Sequence, residues 1–304
     1  MTRKFKLLLA QCLVLLLGAC AAIDVNLPSI TDSPTNERMQ GKIIWHDLLT
    51  NDPAASKKFY GELFGWKFES VGDSSGMSTD NAYTLIRHNG ELIGGMIDTK
   101  ILNNRSDISQ WIVVMSVEDV DEATRKFVAN GGSVLTAPTD LQRRGRMSVL
   151  QDPAGALLAL LETKDGDPAD REPEIGGFLW NELWTVDVGG ATDFYSKAIG
   201  FESADVNTDS DSSSHSHYRL LKIGDKPRAG ILANPLDGLD PVWVSYLRVT
   251  SPAAITARVA SLGGRVIVEA RPRALGGEVA FIAGPSEAGI ALQTWPLDRK
   301  QEAD

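Results

Sequence analysis

"IIWHDLLTNDPAASKKFYGELFGWKFES", Ile43 to Ser70, comes back as "FLWNELWTVDVGGATDFYSKAIGFES", Phe178 to Ser203. Trp45 pairs with Trp180, Phe59-Tyr60 with Phe194-Tyr195 and Gly65 with Gly200, all at an offset of 135. A second stretch, "QWIVVMSVEDVDEATRKFVANGGSV" from Gln110, returns from Val242 as "VWVSYLRVTSPAAITARVASLGGRV" at an offset of 132. Repetition over this length marks a duplicated domain. The break between the copies is the charged, Pro- and Gly-containing stretch Thr163 to Gly177, the composition of a linker.

Each copy reads as strand, helix, then several strands. Ile43 to Leu49 is apolar and bounded by turn residues, so it reads as a strand. Asp52 is placed to cap a helix, Pro53 suits its first turn, and Gly65 suits its end. Ala55, Phe59 and Leu63 recur at helical spacing on one face. Strands then fit Lys67 to Val71, Tyr83 to His88 and Leu92 to Asp98. The second unit runs through a strand at Trp111 to Val117 and a helix at Val120 to Ala129. Strands near Ser133, Met147 and Leu157 complete it. The expected class is therefore α+β, with two tandem domains of two βαβββ units each, at residues 41–163 and 175–297. Between them lies a linker at 164–174, and a polar tail follows at 298–304.

The N-terminus carries a different message. Arg3, Lys4 and Lys6 precede an apolar run from Leu7 to Leu17 and the small residues of "LGAC", ending at Cys20. That order is a secretory signal, and its apolar core is too short to span a bilayer. "LGAC" resembles the bacterial lipoprotein signal, which implies cleavage after residue 19 and a lipidated Cys20. The same resemblance, with Ala21 in place of Asp, implies the cell envelope and the periplasmic face of the outer membrane. Residues 20–40 then read as the lipidated Cys and a flexible tether. The only cysteines are Cys12 and Cys20, so the mature chain has no disulfide and no thiol nucleophile. The net charge is −10, which disfavours nucleic acid as a partner. Membrane attachment would come from the anchor, and several acyl chains on one residue hold firmly.

"DPAASKKFYGELFGW", "DVDEATRKFVANGG" and "QDPAGALLALLE" resemble the vicinal oxygen chelate superfamily of glyoxalases, bleomycin-resistance proteins and extradiol dioxygenases. The resemblance implies that each domain forms a half-open barrel with a concave face. The second domain departs from the D-P-x-G turn, with "AGPSEAG" in its place. In metal-dependent members, ligands come from the first and last strand of each unit, where His, Glu and Gln suit a divalent ion. The corresponding positions here are Trp45 and Trp180, Gly95 or Met96, Gly230 or Ile231, Ile112 and Val244, and Ala159 and Ala291. None is a carboxylate or imidazole, so no metal and no other cofactor is expected.

Strand alternation sends Trp45, Ile43, Asp47 and Leu49 to the concave face and His46 to the helix side. A histidine there reads as a packed, hydrogen-bonded residue, and the repeat has Asn181 in its place. His88 borders a turn. His215 and His217, near Asp209 and Asp211, sit in a polar loop that reads as solvated.

The same alternation gives the two linings. Domain one offers Trp45, Asp47, Leu49, Ile112, Val114, Ser116, Ala159 and Leu161. Domain two offers Trp180, Glu182, Trp184, Val244, Tyr246, Arg248, Ala291 and Gln293. A few polar groups among aromatics is the character of a small-molecule pocket. Trp45, Asp47, Trp180, Glu182, Trp184, Tyr246, Arg248 and Gln293 are the candidate ligand-binding residues. Arg248 is placed either to pair with Glu182 or to hold a substrate carboxylate. The expected function is a membrane-anchored protein binding a small organic molecule. The alternatives are an enzyme of the same superfamily, either a metal-free acid–base lyase or isomerase with Asp47 and Glu182 as catalytic candidates or a metal-dependent lyase or dioxygenase with relocated ligands, and a structural lipoprotein. Packing of both clefts into closed cores is the competing structural reading.

Overall fold

The computed structural model describes residues 27–71, 83–101, 108–206, 218–273 and 275–296. The signal, Cys20, the loop with His215 and His217, and the polar tail lie outside them. Domain one contains β1 (Ile43–Thr50), α1 (Pro53–Phe64), β2 (Lys67–Ser70), β3 (Tyr83–His88), β4 (Glu91–Asp98), β5 (Gln110–Ser116), α2 (Val120–Ala129), β6 (Ser133–Asp140), β7 (Gly145–Gln151) and β8 (Leu157–Thr163). Domain two repeats the order with β9 (Phe178–Thr185), α3 (Val188–Ile199), β10 (Glu202–Val206), β11 (Tyr218–Ile223), β12 (Lys226–Ala233), β13 (Val242–Arg248), α4 (Pro252–Val259), β14 (Arg265–Pro272), β15 (Glu278–Ala283) and β16 (Gly289–Gln293).

Each domain is one eight-stranded mixed sheet. The orders are β2-β3-β4-β1-β5-β8-β7-β6 and β10-β11-β12-β9-β13-β16-β15-β14. In the first sheet β1 runs parallel to β4 and antiparallel to β5, and β5 runs parallel to β8. The sheet curls. Tyr83 on β3 accepts a hydrogen bond from Arg144 at the foot of β7, 2.8 Å away, although four strands separate them.

The helix signals act as expected. Asp52 Oδ1 accepts from Ala55 N–H at 3.0 Å, and Gly65 closes α1 at φ 74°, a conformation that favours glycine. The Phe-Tyr pair has a clear task. Tyr60 accepts from the indole of Trp111, the first aromatic of the next unit, at 3.1 Å. Its repeat, Tyr195, accepts from Trp243 at 2.9 Å. The helical faces of the two domains meet. α1 packs on α4 and α2 on α3, with Phe127 edge-on to Phe194 at 4.7 Å. Two large apolar clusters, each built from both domains, fill this interface.

One expectation needs correction, the flexibility of the tether. The tether is folded from residue 27 onward. Leu27 and Ile30 are buried among Trp45, Leu85 and Leu161, and Asp32 pairs with Arg87 at 2.8 Å. Burying two aliphatic side chains outweighs the freedom of a short segment. The linker is pinned as well. Asp167 is fully buried and accepts from Thr163 Oγ1 at 2.9 Å, and Trp66 donates to Gly176 O at 2.7 Å.

Candidate functional site on the two sheet faces

Away from the helices, each sheet carries the residues that strand alternation assigned to it. Trp45, Leu49, Ile112, Val114, Ala159 and Leu161 form one core with Ile44, and Trp184, Val244, Tyr246 and Ala291 form the other. One assignment fails. A register shift between Ile43 and Trp45 turns Ile43 toward the domain interface and puts Ile44 on the concave face.

A polar cluster lies in the middle of each face. In domain one, Asp47 Oδ1 accepts from Tyr83 at 2.6 Å and from the Trp45 indole at 3.0 Å. Trp45 also donates to the Tyr83 oxygen at 3.0 Å. Arg144 lies over the Trp45 and Tyr83 rings at 4.9 and 5.1 Å. Burial pushes the Asp47 carboxyl up, and the nearby Arg144 charge and the two donors oppose this.

In domain two, Glu182 Oε1 accepts from Tyr218 at 2.9 Å and from Arg273, and Oε2 accepts from Tyr246. Trp180 donates to the Tyr218 oxygen at 2.8 Å. Arg273 also reaches Gln293 and lies over the Tyr246 ring at 5.1 Å. Burial, and then the Glu182 charge, push the Tyr218 and Tyr246 phenols upward. They therefore stay protonated and donate to the carboxylate.

Glycine makes both clusters possible. Gly95 pairs with Asp47 across β1 and β4, and Gly230 pairs with Glu182 across β9 and β12. A Cβ at Gly95 would run into the Tyr83 hydroxyl, and one at Gly230 into the Tyr218 hydroxyl. The strand position expected to supply a ligand is thus left empty so that a phenol can reach the carboxylate.

The clusters correct the sequence-based pairing. Glu182 is held by Arg273, from the turn after β14. Arg248 instead bonds Glu172 at 2.7 Å and Pro173 O, both in the linker. Tyr83, Tyr218, Arg144 and Arg273 were not anticipated. The two tyrosines recur at the same offset as Trp45 and Trp180, which is a usable signal. The arginines sit in turns of different length and carry no constant offset.

The faces differ in their cover. Domain one is capped from outside the repeat by Leu27 and Ile30, with Pro28 O accepting from Arg144 Nε at 3.2 Å. Asp47, Ser116 and the rest of its lining are buried. In domain two, Glu182, Trp184, Tyr246 and Gln293 are buried. Trp180, Leu232, Val268 and Val279 remain half-buried, and among the described residues no segment preceding the repeat lies on this face.

The fold, the duplication and the D-P-x-G turn at Asp152 agree with the sequence comparisons. Residues 42–160 match the model of the Glyoxalase/Bleomycin resistance protein/Dioxygenase superfamily. The Mycobacterium tuberculosis protein named "Putative glyoxylase CFP32" is 31% identical over 253 residues, covering 83% of this chain and 94% of that protein. This chain belongs to the glyoxalase/bleomycin-resistance/dioxygenase superfamily. A further relative is the anthracycline biosynthesis protein DnrV of Streptomyces peucetius. It is 31% identical over 266 residues, covering 83% of this chain and 92% of that one. The superfamily fold is also seen in the Mn(II)-bound glyoxalase from Novosphingobium aromaticivorans. That likeness has a TM-score of 0.56 at 15% identity, over 84% of this chain and 83% of that one. A catechol 2,3-dioxygenase gives 0.55 at 14% identity, over 87% and 96%.

The resemblance to metal-dependent members implies a divalent ion on this face, and the described side chains do not offer one a set of ligands. Each face offers one carboxylate, already covered by phenol or indole donors and set beside a guanidinium. Among the described residues, no three His, Cys, Asp or Glu side chains come together in a way that would hold a metal ion. A cation beside Arg144 or Arg273 would meet like charge.

Proposed function

We propose that this superfamily member is an envelope-anchored protein that takes a small organic molecule onto the concave face of its second domain, without a divalent ion. The observation that carries this reading is the Glu182 cluster. Glu182 is fully buried and its oxygens are shared by Tyr218, Tyr246 and Arg273. It orients the Arg273 guanidinium on a face whose aromatic rim, Trp180, is half-buried. An aromatic surface with one oriented cation suits an organic ligand carrying an oxygen acceptor. Domain one has a related cluster under its cap, in which Arg144 bonds Tyr83 rather than the carboxylate, and serves as the rigid partner. The name of the DnrV relative, an anthracycline biosynthesis protein, accords with an organic molecule as the ligand.

The two donor-covered oxygens of Glu182 favour binding over acid–base catalysis on the second face, whereas both donors to Asp47 sit on its Oδ1. The anchor rests on Cys20 and the signal before it. Replacing Cys20 by Ser is expected to release the protein from the membrane fraction.

The test is thermal-shift screening of the purified full chain against small organic compounds, with metal analysis of the same sample. A stabilising compound whose effect disappears in Arg273→Met and persists in Arg248→Met supports the proposal. Tightly held stoichiometric divalent metal would sink it.

A further inference from the structure

A cavity of about 460 Å³ lies between the domains, on the axis of the duplication. The starts of β1 and β9 line it with Ile43 and His46 from one copy and Phe178 and Asn181 from the other. The starts of β4 and β12, also equivalent, add Leu92 and Arg228, and the linker from Pro168 to Glu174 roofs it. Its volume is in the range of small-molecule sites, which often form at domain junctions. It adjoins both sheet faces, sharing Ile44 and Leu92 with the first and Leu179 and Trp180 with the second, and contains neither carboxylate cluster.

Charge at the roof is unevenly matched. Lys42 from domain one and Arg228 from domain two converge on one linker carboxylate, Asp170, at 3.0 and 2.9 Å. Lys42 also donates to the neutral Pro168 carbonyl. The two cationic side chains are only 13% and 10% exposed, whereas that of Asp170 is 39% exposed. The Arg228 Nε–H is buried and has no partner among the described residues. Burial lowers the Lys42 pKa, and Asp170 restores only part of the loss. Glu91 and Glu172, also on the wall, have cations of their own in Arg171 and Arg248, while Glu174 on the same wall is bonded by Asn89. Two largely buried cations thus share one directly contacting carboxylate, with the charge of buried Asp167 also reaching Lys42, beside an apolar wall of Ile43, Ile44, Phe178 and Leu179. A second anion there would complete the pairing of the two cations.

We propose that this cavity is a separate ligand site for a small organic anion with a planar aromatic body. Its acid group would join or replace Asp170 between Lys42 and Arg228, and its ring would lie against Phe178, Leu179 and Trp180. The neutral imidazole of His46 contributes no competing charge.

The test is calorimetric titration of the full chain with 2-naphthoate and with its uncharged isostere 2-naphthamide. The expected result is one naphthoate per chain, bound at least tenfold more tightly than the amide. Arg228→Met should weaken naphthoate at least tenfold. Asp170→Asn, which removes the internal competitor, should strengthen it severalfold. Opposite effects from the two variants would not arise from a general loss of packing. If Arg228→Met does not fold, Asp170→Asn decides alone, and the absence of strengthening overturns the proposal. Equal binding of acid and amide, or no saturable binding, also overturns it. Naphthoate binding lost in Arg273→Met but kept in Arg228→Met would place the probe on the domain-two face. That outcome rejects this cavity and leaves the function proposed above standing.

Discussion

His46 and Asn181 occupy the same position in the two copies of the repeat, and they hydrogen-bond to each other, Nε2 to Oδ1, at 2.9 Å. The duplication axis therefore passes between them. Phe178 stacks on the imidazole at 3.6 Å between centroids. A residue that resembles half of a His-Asp metal pair in sequence is the polar pin of the domain interface. His46 belongs to the helix side and Asp47 to the concave face, so the two neighbours never act together.

Burial lowers the His46 pKa from 6.5 to about 4. In the unfolded chain it titrates at the ordinary value, so between pH 6.5 and 4 the unfolded state binds more protons. His46 thus disfavours the folded state progressively as the pH falls through that window, by about 3 kcal/mol at most. Asp47 and Asp152 have raised pKa values and act in the opposite direction, so the contribution is read by difference. Urea unfolding of the natural chain and of His46→Asn at pH 7.5 and 4.5 should show a smaller acid loss in the variant. Equal losses would refute the assignment.

Asp47 and Arg144 are both buried. Asp47→Ala is expected to cost about 3–5 kcal/mol, because it leaves a buried guanidinium uncompensated. The double variant Asp47→Leu with Arg144→Met should recover most of that loss. Denaturant melts of the two single variants and the double one form the cycle that checks it.

Gly95→Ala and Gly230→Ala should each cost about 2–4 kcal/mol, from overpacking and a displaced Tyr-carboxylate bond. At Gly61, on α1, an added methyl would meet only ordinary van der Waals contacts. Gly61→Ala should therefore stabilise by about 0.5–1 kcal/mol through helix propensity. Thermal melts of the three variants decide between a steric requirement and general intolerance of substitution.

The cap on domain one is equally testable. Replacing Leu27 and Ile30 together by Asp should detach the segment. Faster hydrogen exchange is then expected along β1, β3 and β8, with β9 and β13 unchanged. Ile30→Ala alone should cost about 2–4 kcal/mol. Uniform exchange changes in both domains would contradict a local cap.

The duplication, the order of strands and helices and, apart from the shifted start of β1 at Ile43 and Ile44, the faces of the central strands were legible along the chain. Trp45 and Trp180, the Phe-Tyr pairs and the capping Asp and Gly residues are local or periodic signals, and local sterics and alternation set what they mean. Alternation also placed Asp47 and Glu182 on the concave faces and His46 away from them. The partner of each buried charge, by contrast, emerged only on folding. Glu182 took Arg273 from a turn 91 residues away instead of Arg248, because the curled sheet brings the turn over the strand. Arg248 lies closer to the linker acid that neutralises it. The cap from residues 27–30 and the cavity on the duplication axis were likewise invisible in the chain. Both arise where segments distant in sequence meet, and the free energy of burying a side chain depends on what surrounds it.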